Sequence, residues 1–152
     1  MYEYRAELIK VVDGDTVDVD IDLGFGVWLK NERVRIMGID TPESRTSDKV
    51  EKLFGLAAKN RVKKMLEKNV VLKTFAAKDG EDMKGKFGRI LGDFYIESEG
   101  KLLTEVMIEE GHAVPYHGQS KDDIHEMHLS NRERLVAKGI VVLEDVLNEG
   151  LE

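Results

Sequence analysis

From residue 13 the chain reads Asp-Gly-Asp-Thr-Val-Asp-Val-Asp-Ile-Asp-Leu, and this stretch can sort itself in only one way. Val17, Val19, Ile21 and Leu23 share one side of an extended strand, and Asp18, Asp20 and Asp22 share the other. A helix would scatter both sets around its circumference, whereas a strand separates them cleanly. The run 5–12 alternates in the same manner, and Asp13-Gly14-Asp15 between the two is a tight-turn signal, so a hairpin is expected here. Alternation leaves Asp18, Asp20 and Asp22 on a solvated face that discourages edge pairing. Asp15 has the parity of the valines. A carboxylate aimed at a core is costly unless it is paired or bound to a metal.

Gly24 and Gly26 bend the chain into a third strand over 32–40, and further strands are expected at 69–76 and 88–96, with turns at Asp79-Gly80 and Glu99-Gly100. Ser47 is placed to cap a helix whose stripe carries Val50, Phe54, Ala57, Ala58, Val62 and Met65 and which ends near Asn69. A short helix from about Leu102 ends at Gly111. A third, from about Lys121, is expected to bury Ile124, Leu129, Leu135 and Val136 before stopping at Gly139. Five short, glycine-bent strands with three interspersed helices predict an α+β, mainly β domain: a small closed or partly open antiparallel barrel of five strands with helices packed on it. At 152 residues the chain is one domain, expected over 1–140, with 141–152 as a loose tail.

Composition narrows the chemistry. There is no cysteine, which excludes disulfides, zinc–thiolate sites and thiol catalysis. The charge-free run 23–29 is far too short to span a bilayer, and no export signal opens the chain, so an intracellular, membrane-free monomer is the expectation. The net charge of −7 argues against a protein that coats nucleic acid by bulk attraction. It leaves a nuclease open, because local charge and a bound cation outweigh the sum. Five aspartates lie between Asp13 and Asp22, while Arg61, Lys63, Lys64, Lys68 and Lys73 cluster against Glu67 alone. The plain interpretation of that basic cluster is a solvated face. The sharper one is a polyanion-binding side opposite a metal-binding side.

Two acidic segments are candidates for chemistry. Asp13-Gly14-Asp15 resembles the opening of an EF-hand loop but has Asp18 where glycine is needed and Gly24 where glutamate is needed. The second is Ile39-Asp40-Thr41-Pro42-Glu43, where Pro42 holds Thr41 extended and leaves its carbonyl free. Carboxylates and a carbonyl are hard oxygen donors suited to calcium or magnesium. Arg35 and Arg89 stand close by in sequence, and a guanidinium fork matches phosphate oxygens two at a time. His125 and His128, in His-Glu-Met-His, lack the zinc-protease spacing and are expected on the surface or in packing.

Together, Asp13-Gly14-Asp15-Thr16-Val17, Arg35-Ile36-Met37-Gly38-Ile39-Asp40-Thr41-Pro42-Glu43 and Lys86-Phe87-Gly88-Arg89 resemble the signature of the staphylococcal nuclease (thermonuclease) family, in order, within a match running over about 6–135. The resemblance implies an OB-fold barrel of five strands with three helices. It also implies a calcium-dependent, sugar-nonspecific nuclease that cleaves DNA and RNA at the 5′ P–O bond, leaves 3′-phosphate ends and prefers single strands. By position, Asp15, Asp40 and the Thr41 carbonyl would hold one Ca2+, Arg35 and Arg89 would grip the phosphate, and Glu43 would act on the attacking water. Lys86 and Tyr116 would touch substrate. Departures from the family pattern are an extended stretch at Gly24-Phe25-Gly26-Val27-Trp28-Leu29, expected to lengthen a hairpin, Gly85 in place of a usual aspartate, and Tyr116 as the one candidate base-stacking aromatic. A catalytically silent nucleic-acid or protein-binding module is the alternative. Such a copy would be expected to have lost some of Asp15, Arg35, Asp40, Glu43 and Arg89, all of which are present.

Overall fold

The computed structural model describes residues 2–75 and 89–143. Strand β1 (Tyr2–Asp13) pairs antiparallel with β2 (Thr16–Asp22), which pairs antiparallel with β3 (Trp28–Ile36). On its other side β1 pairs with β5 (Asn69–Thr74), and β5 with β6 (Ile90–Ile96). The last seam departs from the antiparallel pairing expected and is parallel, with Val34, Arg35 and Ile36 of β3 opposite Ile90, Leu91 and Gly92 of β6, because β3 and β6 run in the same direction where the barrel closes. These five strands therefore close on themselves, which removes most free sheet edge and gives one interior. Two short strands, β4 (Ile39–Asp40) and β8 (Val114–Pro115), form a separate ribbon, and β7 (Lys101–Leu102) pairs antiparallel with the end of β6.

The interior is filled by the alternating residues of those strands. Val17, Val19, Val34, Ile36, Leu72 and Phe94 are fully buried. Helix α1 (Lys49–Met65) closes the barrel with Ala58, Val62 and Met65, and α2 (Leu103–Glu109) adds Leu103, Val106 and Met107. Helix α3 (Lys121–Ala137) joins through a smaller cluster of Phe54, Leu135 and Val141. No helix among the described residues is long and apolar enough to cross a membrane.

The barrel, the three helices and the stop at Gly139 follow the sequence pattern, with informative differences. The third strand starts earlier, at Trp28, and breaks after Ile36, because Met37 and Gly38 turn at a positive glycine φ of 88°. Asp48, not Ser47, caps α1, accepting from the backbone N–H groups of Val50 (3.0 Å) and Glu51 (3.1 Å). That helix ends at Met65, and Asn69 already belongs to β5. In α3 only Leu135 is fully buried. Leu129 and Val136 are exposed and Ile124 is half-buried, because the helix lies on α1 and the β4–β8 ribbon along a narrow line. Asp18 is not solvated: it is 5% exposed, and Arg33 across the hairpin grips both its oxygens, at 2.9 and 3.2 Å. Residues 24–29 do extend the β2–β3 hairpin, whose turn is closed by Leu23 N–H to Val27 O at 2.8 Å. Of the tail expected over 141–152, Val141 is buried against Phe54 and Leu135 instead of loose, and residues 144–152 lie outside the described residues, as does the turn expected at Asp79-Gly80.

Asp93 is the one aspartate buried in β6. Its carboxylate accepts from Phe94 N–H (2.8 Å), Thr104 N–H (3.3 Å) and the Thr104 hydroxyl (2.6 Å), which ties β6 to the first turn of α2. Burial outweighs these donors and pushes its pKa above the ordinary carboxylate value. The native state therefore holds this proton at a pH where the unfolded chain has released it, so ionising Asp93 weakens the fold. We expect the unfolding free energy of the wild type, minus that of Asp93→Asn, to fall as pH rises from the ordinary carboxylate pKa through Asp93's raised one. Urea titrations of both proteins across the acid range check this, and a pH-independent difference would refute it.

Candidate active site

The site lies at one end of the barrel, where the β1–β2 turn meets the segment that leaves β3. Asp13 accepts the Gly14 N–H at 2.9 Å and tightens the turn, and the Asp15 carbonyl accepts the Ile36 N–H at 2.8 Å. Asp15 is thus fixed beside the end of β3 by backbone before its side chain is considered. One of its carboxylate oxygens accepts the Thr16 hydroxyl at 2.9 Å, and the other lies 3.4 Å from Arg35. The Arg35 guanidinium also donates to the carbonyls of Ile36 and Ile39, the latter at 3.0 Å. One cation therefore clips the Asp15 turn to the strand that carries Asp40. Both side chains of the Asp15–Arg35 pair are mostly shielded, which spares their attraction from full solvent screening.

Asp40 pairs through β4 with Val114 of β8, and the next strand residues bring Tyr116 alongside, its N–H donating to Gly38 O at 2.9 Å. Tyr116 is exposed at this edge. The Asp40 carboxylate meets His128 Nε2 of α3 at 2.6 Å. His128 is therefore not a bare surface or packing residue: it holds one Asp40 oxygen. Spacing within α3 carried no sign of it, because the partner lies 88 residues away. Arg89, half-buried, immediately precedes β6, and alternation puts it on the same outward face as Leu91, the register partner of Arg35. The structure thus brings together Asp15, Arg35, Asp40, Thr41 and Glu43, with Arg89 and Tyr116 at the margins. Lys86 lies outside the described residues.

Helix α1 seats both loops. A Cβ on Gly14 would stand 2.9 Å from Ala58 Cβ and 3.2 Å from Thr41 Cβ. A Cβ on Gly55 would stand 2.2 Å from the Glu43 carbonyl oxygen and 2.6 Å from Ser44 N. Small residues at 14, 55 and 58 therefore let the two loops lie flat on the helix, with Thr41 and Ser44 buried and Glu43 exposed. Thr41 Oγ1 and Ser44 Oγ have no hydrogen-bond partner among the described residues. Gly55 is the second contributor that sequence reading missed, since a glycine within a helical pattern carries no mark of what approaches it.

A family model described as staphylococcal nuclease homologue matches residues 33–139. The thermonuclease of Staphylococcus intermedius is 33% identical over 102 residues, covering 67% of this chain and 54% of its own length. Endonuclease YncB of Bacillus subtilis is 31% identical over 104 residues, 68% of this chain and 44% of its own. Protein ParB of Escherichia coli is 30% identical over 129 residues, 79% of this chain and 63% of its own. The chain spans about half the length of the curated relatives it matches.

The seat on α1 is open to a direct test. Gly55→Ala must push the Glu43–Ser44 backbone off the helix, because the clashing atoms are main chain and cannot rotate away. We expect a loss of about 1–3 kcal/mol in chemical denaturation, the usual range for overpacking. A variant as stable as wild type would show that the loop is not held here.

Proposed function

Because this chain belongs to the staphylococcal nuclease family, we propose that its barrel-end site is that of a calcium-dependent, sugar-nonspecific nuclease that hydrolyses DNA and RNA. The observation that carries this reading is the convergence of Asp15, Arg35, Asp40, Thr41 and Glu43 on one barrel end. The donor set suits a hard cation: two carboxylates and the Thr41 carbonyl, with no thiolate anywhere in the chain. Among the described residues no three His, Asp or Glu side chains converge to hold a metal on side chains alone. A cation held by Asp15, Asp40 and Thr41 would thus complete its shell with water and substrate oxygens. Calcium held by these residues would supply Lewis-acid assistance to the phosphate and a template for the water.

The rest of the chemistry belongs to the chain. Arg35 is committed to Asp15 and two carbonyls but keeps further N–H groups for phosphate oxygens. Arg35 and Arg89 offset the charge that gathers on the equatorial oxygens as the water oxygen bonds to phosphorus. Glu43, exposed at the end of its seated loop, takes a proton from that water. The P–O5′ bond opposite the entering oxygen breaks, the 5′-oxygen takes a proton from solvent, and the 3′-phosphate end remains. His128 leaves one Asp40 oxygen free for the cation and holds the other. Tyr116 offers an exposed ring to an unpaired base, a contact worth about 1–3 kcal/mol, which favours single strands.

Digestion of single-stranded DNA with calcium and with a chelator tests this reading. We expect cleavage only with calcium, and a fall in turnover of roughly 10²-fold or more in Glu43→Gln with calcium affinity nearly intact. Unchanged turnover removes Glu43 from the mechanism. Arg35→Lys and Arg89→Lys should both lose activity, because an ammonium cannot reproduce the bidentate fork. Wild-type rates in these variants would assign the arginines to structure.

A further inference from the structure

The outer face of α1 concentrates lysines. Lys52 and Lys63 are exposed and Lys59 half-exposed. At 3.6 residues per turn these three fall within about 40° of arc, on the side away from Phe54, Ala58, Val62 and Met65. Lys49 and Lys64 extend the same face, and no acidic residue interrupts it. By contrast, Lys30 pairs with Asp20 at 3.5 Å, Lys73 with Glu3 at 3.3 Å and Lys101 with Glu109 at 2.8 Å. Among the described residues the five α1 lysines carry no such ion pair. In a chain of net charge −7, a helix face holding five cations without a carboxylate partner is a local positive field against the overall balance.

That face is continuous with the site. Lys52 and Lys59 stand three residues before and four residues after Gly55, so they are its surface neighbours on the helix. Gly55 is where the Glu43 backbone rests. From Lys52 to Lys63 the ridge runs about 16 Å along the helix axis, passing the Glu43 loop at Gly55 and continuing beyond it. We propose that Lys52, Lys59 and Lys63 form a track for the sugar–phosphate backbone of single-stranded nucleic acid, which holds strand beyond the nucleotides at the cleaved bond. The proposal rests on the nuclease reading and deepens it, by making this enzyme prefer long strands over short ones. Ammonium groups on flexible stems suit such a role, since they meet phosphates as point charges without reading sequence.

The test compares wild type with Lys52→Gln/Lys59→Gln/Lys63→Gln, using Lys30→Gln at the distant hairpin as control. Binding of an oligothymidylate is followed by anisotropy in a chelator over a range of salt, and calcium-dependent hydrolysis is measured on a long single strand and on a dinucleotide. We expect the triple variant to lower the log–log salt slope by about 2, from three phosphate contacts at about 0.7 each. Its kcat/KM should fall at least tenfold more on the long strand than on the dinucleotide. The control should match wild type in both. Far-UV circular dichroism establishes that the variants are folded. An unchanged salt slope, or equal losses on long and short substrates, overturns the track while leaving the nuclease reading standing. A wild type that cleaves neither substrate overturns both.

Discussion

The close approach of α1 to the barrel-end loops is the constraint on which the site depends. The Glu43 carbonyl oxygen lies 2.2 Å from where a Cβ of residue 55 would be, and Gly14, Thr41 and Ala58 meet with no room for a larger side chain. The same helix buries Ala58, Val62 and Met65 in the barrel interior. Its position is therefore set by the hydrophobic core, and the loops inherit that position through backbone contact. A site built this way is pre-organised by packing: the loops cannot drift without lifting off a helix anchored in the core.

Electrostatics acts on top of this scaffold, by short and specific links. Arg35 spans Asp15 and the carbonyl of Ile39, so the hairpin turn and β4 are held by one guanidinium. His128 then brings α3 to Asp40. These links join elements that the core leaves loosely connected, since α3 buries only Leu135 fully and touches the ribbon through few residues. The exposure of Leu129 and Val136 follows from the same arrangement. A helix that docks by a few polar contacts (His128 to Asp40, Asn131 to the Ala113 carbonyl, Arg134 to the Glu109 carbonyl) and one apolar cluster has no need of a full hydrophobic stripe.

What the sequence made legible was local. Alternation marked β2 because its interior valines and isoleucine must face one way, and Gly139 marked the end of α3 because only a glycine turns there at low cost. Asp15, Arg35, Asp40 and Glu43 were legible as a motif, and the fold brings them to one end. What was not legible depends on partners far along the chain. Asp18 reads as a solvated aspartate until Arg33 is seen to cover it from the neighbouring strand, and then its burial makes sense as a bidentate pair. His128 and Gly55 stayed hidden for the same reason: each acts on a loop more than ten residues away, and neither residue type declares its target.

The distribution of ion pairs separates two uses of charge in this chain. Arg33 with Asp18, Arg61 with Glu110 and Glu99, and Lys101 with Glu109 hold strands and helices to one another. Such pairs neutralise themselves and leave little field outside the surface. Arg61 shows the contrast within a single helix. It turns inward from α1 to Glu110 at 2.8 Å and Glu99 at 3.0 Å, while Lys59 and Lys63 two positions to either side carry no partner among the described residues. An acidic protein that acted on a polyanion would have to keep its cations unspent near the reacting bond, because long-range repulsion works against approach. Helix α1 carries cations of this kind on its outer face while its inner face seats the Glu43 loop. Fold and candidate site thus converge on one 17-residue element, the same one along which the proposed track would run.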